Sequence, residues 1–336
     1  MKIFPDRRQV PLFLLRYALL VGLIAMGGCF MMWMPGKSHD GPLPAQTPEE
    51  QVAAKRLQAD VTMLAVTIGE RNTLNYRQLQ QSAAYISDRL RVLGYRVREE
   101  PYLFDDRQMM NIEAELKGIR QPEEIVVVGA HYDSSPDSPG ANDNASGVAA
   151  LLELARQFSE TRPGRTLRFV AFVNEEPPFF QTKLMGSRVY AAGARKRGEN
   201  IVAMLSLETI GYYSDHPGSQ QYPPPFNLFY PDRGNFIAFV ANLESRRLVR
   251  DCIKTFRSTT PFPSEGLAAP AFIEGIAWSD HWAFWQEGYP GIMITDTAPF
   301  RYPHYHDSSD TPDRLDYWRM ARVVNGVGKV VGELVK

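Results

Sequence analysis

The run Ile125-Val126-Val127-Val128-Gly129-Ala130 is the feature that most limits what this chain can become. It is apolar without a break, so as a strand it cannot keep one face in water and has to be covered on both sides. Other short β-type runs, less uniformly apolar, are read at 111–116, 167–173, 201–207 and 291–295. Helical patterns accompany them. Leu57, Val61, Leu64, Ala65 and Ile68 share one helical face, as do Leu79, Ala83, Ile86, Leu90 and Leu93. Further helices are expected over 147–158, from Ser187, and over 315–335. Strands alternating with helices predict an α/β fold with a mostly parallel central sheet, flanked by helices on both faces.

One stretch stands outside this pattern. No charged residue occurs from Tyr17 to Met34, and a helix over it would reach about 27 Å, close to the hydrocarbon thickness of a bilayer. Lys2, Arg7, Arg8 and Arg16 precede the run and only Lys37 follows it closely, which keeps the N-terminus cytoplasmic and puts the rest of the chain outside, in the periplasm or beyond. A cleaved signal peptide, or a lipoprotein signal ending at Cys29, are the alternatives. An uncleaved transmembrane helix is favoured because the apolar run continues past Cys29 through Trp33. Residues 1–34 are thus read as cytoplasmic N-terminus and anchor, 35–50 as a Gly- and Pro-rich linker, and 51–336 as the folded domain. With Cys29 in the anchor, Cys252 has no partner within the domain and reads as a buried thiol. The 37 basic and 38 acidic side chains leave a net charge of -1, which excludes an electrostatic footprint for nucleic acid.

In an open α/β sheet, ligands bind beyond the carboxyl ends of the strands, and here those ends carry acids and a histidine. His131 and Asp133 follow the run ending at Ala130, Glu175 and Glu176 follow Val173, and Glu208 follows Leu207. Pooling them in one crevice calls for a cation. Asp143 lies in Gly140-Ala141-Asn142-Asp143-Asn144-Ala145-Ser146-Gly147, where turn geometry or a helix cap is the plainer reading of the residue alone. His304 and His306 sit in a polar loop after the last strand.

His131-Tyr132-Asp133, the segment around Asp143, Asn174-Glu175-Glu176, Ser279-Asp280-His281 and Tyr305-His306 together resemble the zinc aminopeptidase and glutamate carboxypeptidase family, peptidase family M28. The resemblance spans roughly residues 112–317, with the motifs in the family's order. It implies a peptidase acting on peptide substrates with two zinc ions: one held by His131 and Glu208, the other by Glu176 and His306, with Asp143 bridging. Two Zn²⁺, three carboxylates and a hydroxide sum to zero charge, a tolerable balance in a partly buried crevice. The resemblance further implies that Glu175 is the general base for a metal-bridging water, that Asp133 fixes the His131 tautomer, and that Tyr305 donates to the oxyanion. Ser279 is expected to support a ligand histidine and His281 to be structural.

Two departures from the family pattern stand out. Residues 177–185 intervene before Gly186-Ser187, which is expected to shape substrate access, and Glu208 stands where aspartate is usual. A glutaminyl-cyclase-like transferase with a single zinc, and a catalytically dead receptor or scaffold, are the rival readings. The filled ligand positions count against the scaffold.

Overall fold

The computed structural model describes residues 10–336; Lys2, Arg7 and Arg8, on which the reading of orientation partly rests, lie outside them. The helices are α1 (Val10–Met32), α2 (Pro48–Thr62), α3 (Tyr76–Val92), α4 (Gly147–Phe158), α5 (Gly186–Lys196), α6 (Arg246–Thr259), α7 (His281–Trp285) and α8 (Tyr317–Leu334). The strands are β1 (Val97–Phe104), β2 (Arg107–Leu116), β3 (Gln121–His131), β4 (Arg165–Phe172), β5 (Asn200–Glu208), β6 (Ile237–Ala241), β7 (Ser264–Ala268) and β8 (Gly291–Thr295).

All eight strands form one sheet in the order β1-β2-β4-β3-β5-β8-β6-β7. Its centre, β4-β3-β5-β8, is parallel. The sheet as a whole is mixed, because β1 with β2, β2 with β4, and β6 with β8 pair antiparallel. The apolar run in β3 is covered as its composition requires. Val126 and Val128 face a core built with α2, α3, α4, α6 and α8, while Ile125 and Val127 face a second cluster with Tyr190 and Ala191 of α5 and Phe284 of α7. Alternate residues of a strand point to opposite faces, so continuous apolarity is the signature of this sandwiched position.

Helix α2 begins at a capping box: Thr47 and Glu50 each accept the other's backbone N–H, with Pro48 in the first turn. Glu50 also receives a fork from Arg322 at 3.0 and 2.9 Å, tying α2 to α8. The residues before α2 are irregular but not loose. Arg257 donates to the carbonyls of Pro35 and Gly36, Ser264 N donates to Ser38 Oγ, and Met34 is buried. The stretch expected as a linker therefore lies against the domain, held by backbone groups that its composition does not reveal. In α1, Phe13–Met32 is apolar and long enough to span a bilayer, and none of it is buried in the protein.

Candidate metal centre

Three parallel strands and two loops converge at one end of the sheet. His131 closes β3, Glu208 closes β5, and Glu175 and Glu176 follow β4. The loop preceding α4 supplies Asp143, and the loop after β8 supplies His306.

The Asp143 loop is shaped by two glycines. Gly140 has φ +60°, and a Cβ there would lie 2.3 Å from the carbonyl oxygen of Asp143; a Cβ at Gly147 would lie 2.5 Å from that of Leu207. Only glycine fits either place. Side chains then pin the loop from outside. Asp310 accepts from the backbone N–H groups of Asn142 and Asp143, while Asn144 donates to Leu207 O and accepts from Thr209 N. Asn142 bridges Asp296 and Gly211 N. Arg71, fully buried, donates to the carbonyls of Tyr132, Pro139 and Gly140. One guanidinium thus braces the backbone beside His131 and the backbone leading into Asp143. Burial lowers its pKa to about 10 despite the surrounding carboxylates of Asp310, Asp133, Asp143 and Glu176.

Two donor groups meet at Asp143. His131 Nε2 lies 3.2 Å from Asp143 Oδ1 and 3.4 Å from Glu208 Oε2. On the other side, His306 Nε2 lies 3.0 Å from Asp143 Oδ2 and 3.2 Å from Glu176 Oε2. Each oxygen of one carboxylate therefore faces a different trio, His131–Asp143–Glu208 and Asp143–Glu176–His306. Ligands about 2.0–2.1 Å from a tetrahedral zinc stand ~3.3 Å apart, the spacing found here. The donors also lack other occupations. Both ring nitrogens of His131, Asp143 Oδ1 and Glu176 Oε1 are buried without a hydrogen-bond partner, a costly arrangement in the absence of a cation. Imidazole and carboxylate without thiolate suit zinc in an open site, so the residues fit the metal.

The electrostatics agree. Burial, then the charge of Asp143, pushes Glu176 up to about 7. Burial and the charges of Glu208, Glu176 and Asp280 hold Glu175 well above the usual carboxylate range, with His131 opposing. His306 is raised to about 10 against its burial by Asp143 and Glu176, and the two histidines hold Asp143 below the ordinary range against its own. These carboxylates crowd one another, and a bound dication inverts that balance.

The supporting residues divide as follows. Asp133 accepts the backbone N–H of Glu175 and of Glu176, both at 3.1 Å, and stands 3.5 Å from His131 Nδ1. Ser279, expected beside a ligand histidine, instead donates to Glu208 Oε2 at 2.6 Å and pairs with Ser206. A glutamate reaches farther from the strand than aspartate, and the hydroxyl fixes where it stops. Glu175 is outside both trios, and its carboxylate has no hydrogen bond among the described residues. Tyr305 stacks on His306 with centroids 3.9 Å apart. His281 bonds Ile276 O and packs edge-on to Trp285, and His304 pairs with Ser309; neither joins a trio. Asn174, Thr209 and His306 all take left-handed φ of 47–58°, a concentration of unfavourable backbone at the site.

Arg71, Asp296 and Asp310 escape the sequence reading, and Asp280 stands in the Ser279-Asp280-His281 motif without a role assigned to it. Asp310 lies four residues after His306, but nothing around Arg71 distinguishes it from a surface arginine. Asp280 is fully buried, with both oxygens unpartnered, and burial raises it to about 7 beside His131 and Glu208. The inserted segment 177–185 packs on β1: Phe179 meets Phe104 edge-on at 4.7 Å, and Tyr102 donates to Leu184 O. From there Gln181 reaches Ala277 O. An apolar pocket opens beside the trios, bounded by Glu208 and Tyr305 and walled by Phe226, Phe236, Val240, Ile276, Trp278 and Met293 among others.

The family profile described as Peptidase family M28 matches residues 111–331. The chain belongs to that family. It is a metallopeptidase, and zinc is the metal its family and donor set support. A relative from Escherichia coli (strain K12), described as uncharacterized protein YfbL, is 40 % identical over 282 residues, 81 % of this M28 chain and 86 % of its own length. Among solved structures, BSAP, a zinc aminopeptidase from Bacillus subtilis, superposes with a TM-score of 0.68 at 17 % identity, covering 88 % of this chain and 97 % of that one. A Bacteroides thetaiotaomicron glutaminyl cyclase bound to N-acetylhistamine gives 0.62 at 18 % identity, covering 88 % and 99 %. At these identities the M28 likeness to both is one of fold.

Proposed function

We propose that this chain is a di-zinc aminopeptidase, anchored by α1 with its catalytic domain outside the cytoplasm, that removes apolar residues from the amino termini of peptides. The observation that carries the reading is Asp143, whose two oxygens each face a separate histidine–carboxylate pair. His131 and Glu208 would hold one ion, Glu176 and His306 the other. Bound zinc supplies Lewis acidity toward the scissile carbonyl and the attacking water.

The protein's own groups do the rest. Glu175, outside both trios and with no hydrogen bond to its carboxylate among the described residues, takes the proton of the attacking water and returns it to the departing amine. Asp133 holds the backbone of residues 175 and 176, so the base and its neighbouring ligand keep their divergent directions. The hydroxyl of Tyr305 is available to the oxygen that gains charge as the carbonyl is attacked. The apolar pocket beside Glu208 and Tyr305 receives the side chain next to the scissile bond.

Metal stoichiometry separates this reading from a single-zinc cyclase. Metal analysis is expected to find two ions per chain, and one would remove the di-zinc assignment. Free amino-terminal peptides with large apolar first residues are expected to be cleaved and N-blocked ones spared; equal cleavage of both would refute amino-terminal recognition. Glu175→Gln should keep both ions and lose on the order of 10²- to 10⁴-fold in kcat. Near-full turnover would move the base elsewhere.

A further inference from the structure

The end of α1 and the apolar pocket share a wall. Met31 packs on the cluster formed by Phe236, Ala238, Val240, Ala269, Ile276 and Met293, and all of these except Ala269 line the pocket. Three residues on, Met34 is buried against the edge strand β7, within 2.8 Å of where a Cβ at Gly266 would stand. The carbonyl oxygen of the same Gly266 accepts from Tyr230 in the loop that closes the pocket.

The junction is also clamped. Arg246 donates to Phe30 O at 2.7 Å and lays its guanidinium 3.8 Å from the centre of the Phe30 ring. One turn along α6, Arg250 covers Trp33 at 4.2 Å. Beside them, the side chain of Arg247 is almost entirely open to solvent. These contacts set the edge of the sheet that carries the pocket beside the end of α1.

The two loops over this edge are unusual in what they expose. Residues 222–230 and 270–276 wall the pocket with Tyr222, Phe226, Tyr230 and Ile273. Outermost on the same loops are Leu228, Phe229 and Phe272, exposed at 75, 60 and 87 %. These side chains stand on loops whose Tyr222 and Ile273 pack on the same cluster as Met31 of α1. With Arg246, Arg247 and Arg250 at the end of that helix, they match the chemistry of a bilayer interface: aromatic rings at headgroup depth and cations toward lipid phosphates.

From this we infer that the rim formed by Leu228, Phe229 and Phe272 rests on the lipid surface of the membrane holding α1, and that the pocket is loaded from that surface. The favoured substrates are amphipathic peptides already bound to the bilayer, presented with an apolar amino-terminal residue. Freely dissolved peptides reach the same site without the advantage of partitioning. The inference rests on the anchor assignment made above.

The test uses the full chain in phosphatidylethanolamine–phosphatidylglycerol vesicles. Resistance to carbonate extraction is measured first; release would overturn the anchor assignment and this inference together. In a Cys29→Ser background, with Cys252 buried, an environment-sensitive fluorophore is placed at Phe229→Cys, Phe272→Cys or, for comparison, Val92→Cys on the exposed side of α3. Headgroup-level nitroxide lipids should quench the labels at 229 and 272 at least twofold and leave the one at 92 unchanged. Equal quenching at all three positions in a carbonate-resistant protein would overturn the inference and leave the anchor standing. The double variant Phe229→Asp with Phe272→Asp should raise KM for a vesicle-bound amphipathic peptide by about 10-fold, with kcat/KM on a short soluble peptide unchanged within twofold. Unchanged KM for the bound peptide would likewise overturn it.

Discussion

Two buried clusters of charge sit in this domain, and they are built on opposite principles. In one, Arg168 donates to Glu115 and Glu199 and stands beside Glu113, which also receives Tyr190 and Arg98. Glu199, shared by Arg168 and Arg197, is held down to about 2 against its burial. In the other, at the ends of β3, β4 and β5, carboxylates outnumber cations, donor atoms are left without partners, and Glu176 is driven up to about 7. The charges of the first cluster are balanced within the chain, whereas the second keeps carboxylates in excess and donor atoms without protein partners. Burial of charge alone does not mark a functional site. What marks it is charge that the protein itself leaves uncompensated.

That contrast can be broken by experiment. The largest effect is expected from Asp143→Asn, because one carboxylate serves both trios. Metal content measured on the purified variant should fall for both ions together, and activity should drop by more than the roughly 100-fold that outer partners of a metal site control. Loss of a single ion would show that Asp143 is not shared. Arg168→Ala should do the reverse, costing about 3–5 kcal/mol of stability by stranding the carboxylates around it. Its Tm falls while metal content and kcat of the folded enzyme remain; a loss of metal would mean that the clusters are coupled. The smallest effect belongs to Ser279→Ala, which removes the hydroxyl that stops Glu208. Metal affinity should weaken about 10-fold, by competition with a chelator, with no change in Tm of the metal-free protein. A variant that binds metal as before would leave Ser279 as packing alone.

The same contrast explains what the sequence yields and what it hides. β3, β4, β5 and β8 are legible because strands buried on both faces are written as nearly continuous apolar runs, interrupted only by single residues such as Arg168 and Ser206. The reading omits β1, an edge strand with Arg98, Glu99, Glu100 and Pro101 in its middle, and β7, whose five residues include a glutamate and a glycine. It also omits β6 and α6, although Leu248, Val249, Cys252, Ile253 and Phe256 carry a helical pattern. The expectation of a mostly parallel sheet holds for β4-β3-β5-β8 and for β6 with β7, while β1 with β2, β2 with β4, and β6 with β8 are antiparallel. At the site, residues that offer donor atoms stand in recognisable motifs. Those that brace them do not: Arg71 acts through three carbonyl oxygens, and any segment of chain has carbonyls to offer.

The donor atoms come from positions 131, 143, 176, 208 and 306, brought together only when β3, β4 and β5 are in register and the loop after β8 has closed. A site so assembled differs from a finger domain, in which one short segment carries every ligand. On the proposed reading, metal binding would then follow formation of the sheet and would not seed it. Folding must first secure pairings between strands far apart in sequence, with loop-closure entropy opposing each, so assembly of this domain is expected to be slow compared with that of a helical bundle of equal length.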